Sequence, residues 1–176
     1  MWLKYPFIFL IFFILGLFQF SFLPYLNIGG AVLNAFFILF FVLAFFSLSN
    51  QGFRKNKSFY LGADVIYLAI ISGFFADVFS SSVFGSYTVS FLIISFFVKI
   101  SLHNLKEGQD KFSVLYFILL FLPAFVFNKL FSDLILYLTN HLYPTNLSWI
   151  FIGELAYNLL LATIVFYVFK KLQDKK

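Results

Sequence analysis

Five polar side chains that could take part in chemistry lie within long apolar stretches of this 176-residue chain. They are Asp77, Lys129, Asp133, Glu154 and Asn158. Lys129 and Asp133 are four residues apart, as are Glu154 and Asn158, so each pair would share one face of a helix. Ionisable groups in a hydrocarbon environment usually pair with one another or line a water-filled cavity. The spacing therefore predicts a polar cluster built from these five residues.

A second interpretation of the same residues stays open. Asp77, Lys129 and Asp133 would also be explained as interfacial side chains that extend towards lipid headgroups. That interpretation fits Glu154 less well, because Glu154 would lie about two helical turns below the membrane surface.

Signatures of membrane-embedded enzymes are missing from the sequence. There is no His-Glu-x-x-His zinc motif, no Gly-x-Ser-x-Gly nucleophile motif and no glycine-rich phosphate loop. The two histidines, His103 and His141, fall at opposite faces of the predicted membrane bundle, so they cannot form one site together. The chain also has no cysteine for thiolate ligation. We therefore expect no catalytic residue, no cofactor and no metal site, and we predict that the protein is not an enzyme.

The elements that position these residues follow from composition. Hydrophobic residues make up 62% of the chain and charged residues only 11%, which is typical of an integral membrane protein. Phenylalanine is abundant, with 31 residues, which we interpret as coding bias with lipid-facing Phe in place of Leu. The net charge of +5 sits at the ends of apolar stretches, so it indicates orientation rather than nucleic-acid binding.

Six apolar stretches are long enough to cross about 30 Å of hydrocarbon at about 1.5 Å per residue. They are residues 5–23, 31–48, 59–79, 83–102, 112–138 and 147–169. The fifth is over-long and contains Pro123, near which we expect a tilt or a break. The fold prediction is a single all-α membrane domain, residues 1–176, folded as a six-helix bundle.

Basic residues divide cleanly between the two ends of the predicted bundle. All twelve except Lys129 fall at alternate ends of the stretches. They are Lys4, Arg54, Lys55, Lys57, Lys99, Lys106, Lys111, Lys170, Lys171, Lys175 and Lys176. The positive-inside rule then places both termini in the cytoplasm.

A very short connection joins the third and fourth stretches. Gly73 and Gly85 flank it, and Asp77 ends the third stretch. Small residues let two helices turn tightly and approach closely, so we expect Gly73, Asp77 and Gly85 to serve the turn and the packing of these two helices. A serine among residues 80–82 is a candidate cap for the fourth helix.

The stretch from Gly73 to Tyr87 resembles the rod shape-determining protein MreD family, in which Gly, Asp, a small-residue turn and a second Gly follow in that order. The segment Gly153–Ala162 is similar to the last transmembrane helix of that family, where an acidic or polar residue precedes a characteristic Asn. The loop between helices four and five is less basic here than in many members.

The resemblance implies a non-enzymatic subunit of the bacterial cell-elongation complex in the cytoplasmic membrane. It implies binding to the bitopic protein MreC and, through it, links to MreB filaments, the RodA glycosyltransferase and a penicillin-binding transpeptidase. In this role the chain would contribute to cell shape and cell-wall biogenesis, in contact with membrane lipid and without nucleic acid.

An alternative function is that of the substrate-binding membrane subunit of an energy-coupling-factor vitamin transporter. Such subunits are also small six-helix proteins, but they usually carry an Ala-x-x-x-Ala type face in an early helix. The first stretch here has only Gly16 as a small residue between Phe7 and Phe20, which argues against this alternative.

Overall fold

The computed structural model describes residues 4–26, 30–51, 63–80, 83–103, 113–140 and 149–173. Within those ranges the chain forms six α-helices, and one short 3-10 helix, Leu23–Leu26, follows the first of them. The α-helices are α1 Lys4–Ser21, α2 Ala35–Gln51, α3 Ala63–Phe79, α4 Ser86–His103, α5 Val114–Asn140 and α6 Trp149–Gln173. The predicted all-helical fold with six helices is confirmed.

The starts of two helices, and the course of a third, differ from the sequence prediction. α2 begins at Ala35 rather than Ala31, and α4 begins at Ser86 rather than Val83. The fifth helix is not broken, since α5 continues through Pro123. The predicted start of the third helix at residues 59–62 lies outside the described residues, as do the basic residues of the connecting loops and of the C-terminal tail.

Helix α2 lies at the centre of the bundle and contacts each of the other five α-helices. Its sequence explains this position: every side is apolar and no residue from 35 to 51 is charged. A helix that is hydrophobic all round needs protein, or lipid, on all sides. Its largest fully buried side chains are all phenylalanines, namely Phe36, Phe37, Phe40, Phe41 and Phe45.

The buried phenylalanines of α2 pack against rings from the surrounding helices. Phe40 stacks on Phe91 of α4 with ring centroids 4.3 Å apart. Phe37 meets Phe121 of α5 edge-on at 5.4 Å, and further rings continue the contact towards α6. Such pairs contribute about 0.5–1.5 kcal/mol each beyond the area they bury. Interpreting the phenylalanines as lipid-facing was therefore wrong for this set, which forms the core.

The outer surface of the bundle is also apolar. Many large hydrophobic side chains on α1, α4, α5 and α6 are exposed, among them Phe7, Leu115 and Trp149. In the described part of the chain, Val114–Thr139 and Trp149–Gln173 are each long and apolar enough to cross a membrane. Pro6–Ser21, Ala35–Ser49 and Ser86–Leu102 are shorter apolar helices.

Candidate functional site

The carboxylate of Asp77, in the last turn of α3, binds the first turn of α4. Its Oδ1 accepts the backbone N–H of Tyr87 at 2.9 Å, and its Oδ2 accepts the backbone N–H of Thr88 at 3.2 Å. The Thr88 hydroxyl donates to Oδ2 at 2.7 Å, and the Ser86 hydroxyl lies 3.5 Å from Oδ1. The first N–H groups of a helix have no partner within the helix, and the helix dipole favours a negative charge there. Asp77 therefore caps α4 from a neighbouring helix.

Gly73 provides the close approach that this cap requires. A Cβ atom at residue 73 would lie 2.8 Å from the backbone nitrogen of Thr88 and closer still to its Cα. Because those atoms are backbone, they cannot move aside as a flexible side chain could. Gly73 and Asp77, one turn apart on α3, therefore contact the same residue of α4.

Gly85 serves the same connection for a different reason than Gly73 does. A Cβ atom there would have no neighbour within 4 Å, so helix packing does not require glycine. Its φ angle is +94°, in the region that residues with a Cβ rarely adopt. Of the two roles expected for Gly85, packing and turn, the geometry therefore favours the turn, which sets the start of α4. Of the candidate caps among residues 80–82, Ser81 and Ser82 lie outside the described residues, and the Ser80 hydroxyl donates to the carbonyl of Asp77 at 3.4 Å.

Asn158 of α6 makes a second buried link, to the extended segment before α2. Its Oδ1 accepts the backbone N–H of Asn34 at 2.8 Å, and its Nδ2 donates to the carbonyl of Val32 at 3.1 Å. The same Nδ2 lies 2.7 Å from the carbonyl of Glu154, one turn earlier in α6. This side chain is fully buried and satisfies a stretch of backbone that has no helical partner.

Two further polar side chains complete the N-terminus of α2, and the sequence interpretation missed both. Asn34 Oδ1 accepts the N–H of Phe37 at 3.0 Å, which makes Asn34 the N-cap of α2. Gln19 of α1 accepts the N–H of Phe36 at 3.3 Å. An Asn directly before a long apolar stretch is a recognised start signal for a helix, so Asn34 was detectable. Nothing in the sequence pairs Gln19 with α2.

The remaining residues of the predicted cluster lie near α4, on α5 and α6. The side chain of Tyr87 lies within hydrogen-bonding reach of Ser132 and in the electrostatic field of Asp77, Asp133 and Glu154. Nearby, the Ser90 hydroxyl donates to Asn128 Oδ1 at 2.9 Å and joins α4 to α5.

Lys129 forms its ion pair within α5. Its Nζ lies 4.0 Å from Asp133 Oδ1, one turn further along the same helix. The lysine side chain is 36% exposed, which limits the strength of this ion pair.

The arrangement is structural in character. Among the described residues, no group of three or more His, Cys, Asp or Glu side chains could hold a metal ion. The carboxylate of Asp77 and the carboxamide of Asn158 are both occupied by backbone groups. What this geometry can do is fix two pairs of elements, α3 with α4 and α6 with the segment that leads into α2.

The comparisons with known proteins give no relative from which to read a function. The chain matches no protein-family model, no curated protein and no solved structure.

Proposed function

We propose that the chain is an integral membrane protein with six spans and both termini in the cytoplasm. The exposed apolar side chains on the outer helices support this, because a soluble surface rarely carries a large continuous apolar area. Helices α1 to α4 contain 17 or 18 residues each. At about 1.5 Å per residue they are about 25–27 Å long, close to the roughly 30 Å of hydrocarbon in a bilayer.

Within that membrane placement, the function we propose is that of a non-enzymatic, MreD-like subunit of the bacterial cell-elongation complex. It would bind an MreC-like bitopic protein in the cytoplasmic membrane and, through it, influence MreB filaments, RodA and a penicillin-binding transpeptidase.

One observation carries this proposal. The two segments that resemble the MreD family, Gly73–Tyr87 and Gly153–Ala162, contain Asp77 and Asn158, whose buried side chains join separate elements of the bundle. A segment that serves assembly rather than catalysis should contain residues that hold backbone in place. Polar side chains whose hydrogen bonds are made to backbone groups give the bundle a defined shape for a partner to bind. They leave no reactive atom for catalysis.

The test is affinity purification of the tagged full chain from the membranes of the bacterium that encodes it. We expect to recover an MreC-like protein, and we expect Asp77→Asn and Asn158→Leu to reduce the recovery. Leu160→Ala, an exposed change on α6, is the matched control and should keep it. Recovery of an ATPase module or a bound vitamin would overturn the proposal and favour the transporter subunit.

A further inference from the structure

Five helices surround α2, and they leave one position beside it open. Each contacts α2, and they neighbour one another in the order α1, α3, α4, α5, α6. In the described part of the chain, α1 and α6 do not contact each other. The ring of helices around α2 is therefore open between α1 and α6.

The solvent accessibility of the α2 residues shows which of them line this opening. Between residues 35 and 49, four α2 residues are partly accessible and all others are buried. The four are Ala35, Leu39, Leu43 and Ser47, each one turn after the last. Residues four apart share one face of a helix. We call the opening between α1 and α6, with these four residues as its floor, the α1–α6 slot.

The slot is narrow. Leu39 and Leu43 are only partly exposed, whereas Leu10 of α1 and Leu160 of α6 are 51% and 58% exposed on the outer surface. A helix with its side chains is about 10–12 Å across and would need a wider opening. A lipid acyl chain is a single file of methylene groups and fits a shallow apolar slot.

Basic residues lie at one end of the slot. The wall formed by α6 ends with Lys170 and Lys171 in its last turn, and the wall formed by α1 begins at Lys4. Because α1 and α6 run in opposite directions across the proposed membrane, these residues belong to the same, cytoplasmic end. Basic residues beside a membrane attract anionic headgroups, by roughly 1 kcal/mol each, which is about fivefold in affinity.

We propose that the α1–α6 slot binds one acyl chain of an anionic phospholipid from the cytoplasmic leaflet, with the headgroup held at the Lys170 and Lys171 end. This inference rests on the membrane placement in the proposed function, but not on the cell-shape role. A lipid at this position would complete the packing around α2.

Native mass spectrometry of the purified full chain tests the inference. The protein is titrated with phosphatidylglycerol and, separately, with phosphatidylcholine of the same acyl chains. We expect one phosphatidylglycerol to bind more tightly than phosphatidylcholine. Lys171→Gln should weaken that binding about fivefold, while Lys99→Gln, which removes one charge from α4 across α2 from the slot, should not.

A second pair of variants tests the apolar part of the slot. Leu43→Trp should fill the floor and remove the bound lipid, whereas Leu160→Trp, on the outer surface, should retain it. Equal binding of both lipids, or unchanged phosphatidylglycerol binding by Leu43→Trp, would overturn the proposal. So would a wild-type dimer that Leu43→Trp converts to monomer, because the slot would then belong to a second copy of the chain. Reporter fusions at the termini test the membrane placement separately, so the two failures are distinguishable.

Discussion

The carboxylate of Asp77 accepts the backbone N–H of Tyr87 at 2.9 Å, so a charged side chain at the end of α3 completes the first turn of α4. The same carboxylate accepts two hydrogen bonds from Thr88, through its backbone and its hydroxyl. A carboxylate that accepts several backbone bonds at a helix N-terminus needs no cationic partner to be stable away from water. This explains how an acidic residue is kept in a largely apolar hairpin.

Replacing Asp77 should destabilise the bundle. Asp77→Asn presents an NH₂ group to backbone donors and removes the negative charge, so we expect a loss of about 1–3 kcal/mol in unfolding free energy. Thermal unfolding of the purified protein in detergent measures it. Asp64→Asn, an exposed change in the first turn of α3, is the matched control. Equal unfolding midpoints for the two variants would contradict the capping role.

Gly73 and Gly85 should respond differently to the same substitutions. Gly73→Ala introduces a Cβ against the backbone of Thr88, and overpacking of this kind costs about 1–3 kcal/mol. Gly85→Ala has space but a positive φ, for which the cost is about 1–2 kcal/mol.

Asparagine separates the two causes, because it tolerates positive φ better than alanine but is larger. We therefore expect Gly85→Asn to be milder than Gly85→Ala, and Gly73→Asn to be harsher than Gly73→Ala. The order of the four unfolding midpoints is the measurement. The same order at both positions would show that one cause operates at both.

Asn158 should control the order of the segment that leads into α2. Asn158→Leu removes the acceptor for the N–H of Asn34 and the donor to the carbonyl of Val32. Buried backbone groups left without partners cost about 1–3 kcal/mol each. We expect faster hydrogen exchange of the Asn34 and Phe37 amides, measured by mass spectrometry after digestion.

Thr163→Val is the control for this experiment. Thr163 is also on α6, but its hydroxyl donates only to the carbonyl of Leu159, within the same helix. Its loss should leave the exchange of residues 34–37 unchanged. If both variants accelerate exchange alike, the link between Asn158 and the segment is not what orders it.

The sequence predicted the number and type of helices well, because long apolar stretches bounded by polar residues are a strong local signal. It did not predict that α2 is central, since α1 is apolar on most sides as well. It could not predict partners that depend on which helices are neighbours, such as Gln19 of α1 with the backbone N–H of Phe36 in α2. Asp77 was recognised as special, but whether its partners were lipid, lysine or backbone depended on how α3 and α4 meet.

The proposed orientation predicts the side on which each connection lies. Reporter fusions at Lys55, Glu107 and Lys176 should report the cytoplasm, because basic residues concentrate at those ends. Fusions at Asn27, Ser81 and Thr145 should report the outside. A single connection on the wrong side would contradict the six-span arrangement.

The ion pair on α5 leads to a prediction about energetic coupling. Lys129 lies 4.0 Å from Asp133, so Lys129→Leu and Asp133→Leu should not be additive. Pairs four residues apart on a helix couple by about 0.2–0.5 kcal/mol, and solvent screening at Lys129 keeps this pair in that low range. Lys129→Leu and Glu154→Leu, in contrast, should show a smaller coupling than Lys129→Leu and Asp133→Leu, because Lys129 pairs with Asp133 on its own helix. Two double-mutant cycles measured by thermal unfolding compare the pairs directly. A larger coupling of Lys129 with Glu154 than with Asp133 would show that the lysine joins α5 to α6, and that the polar residues around Tyr87 act as one unit.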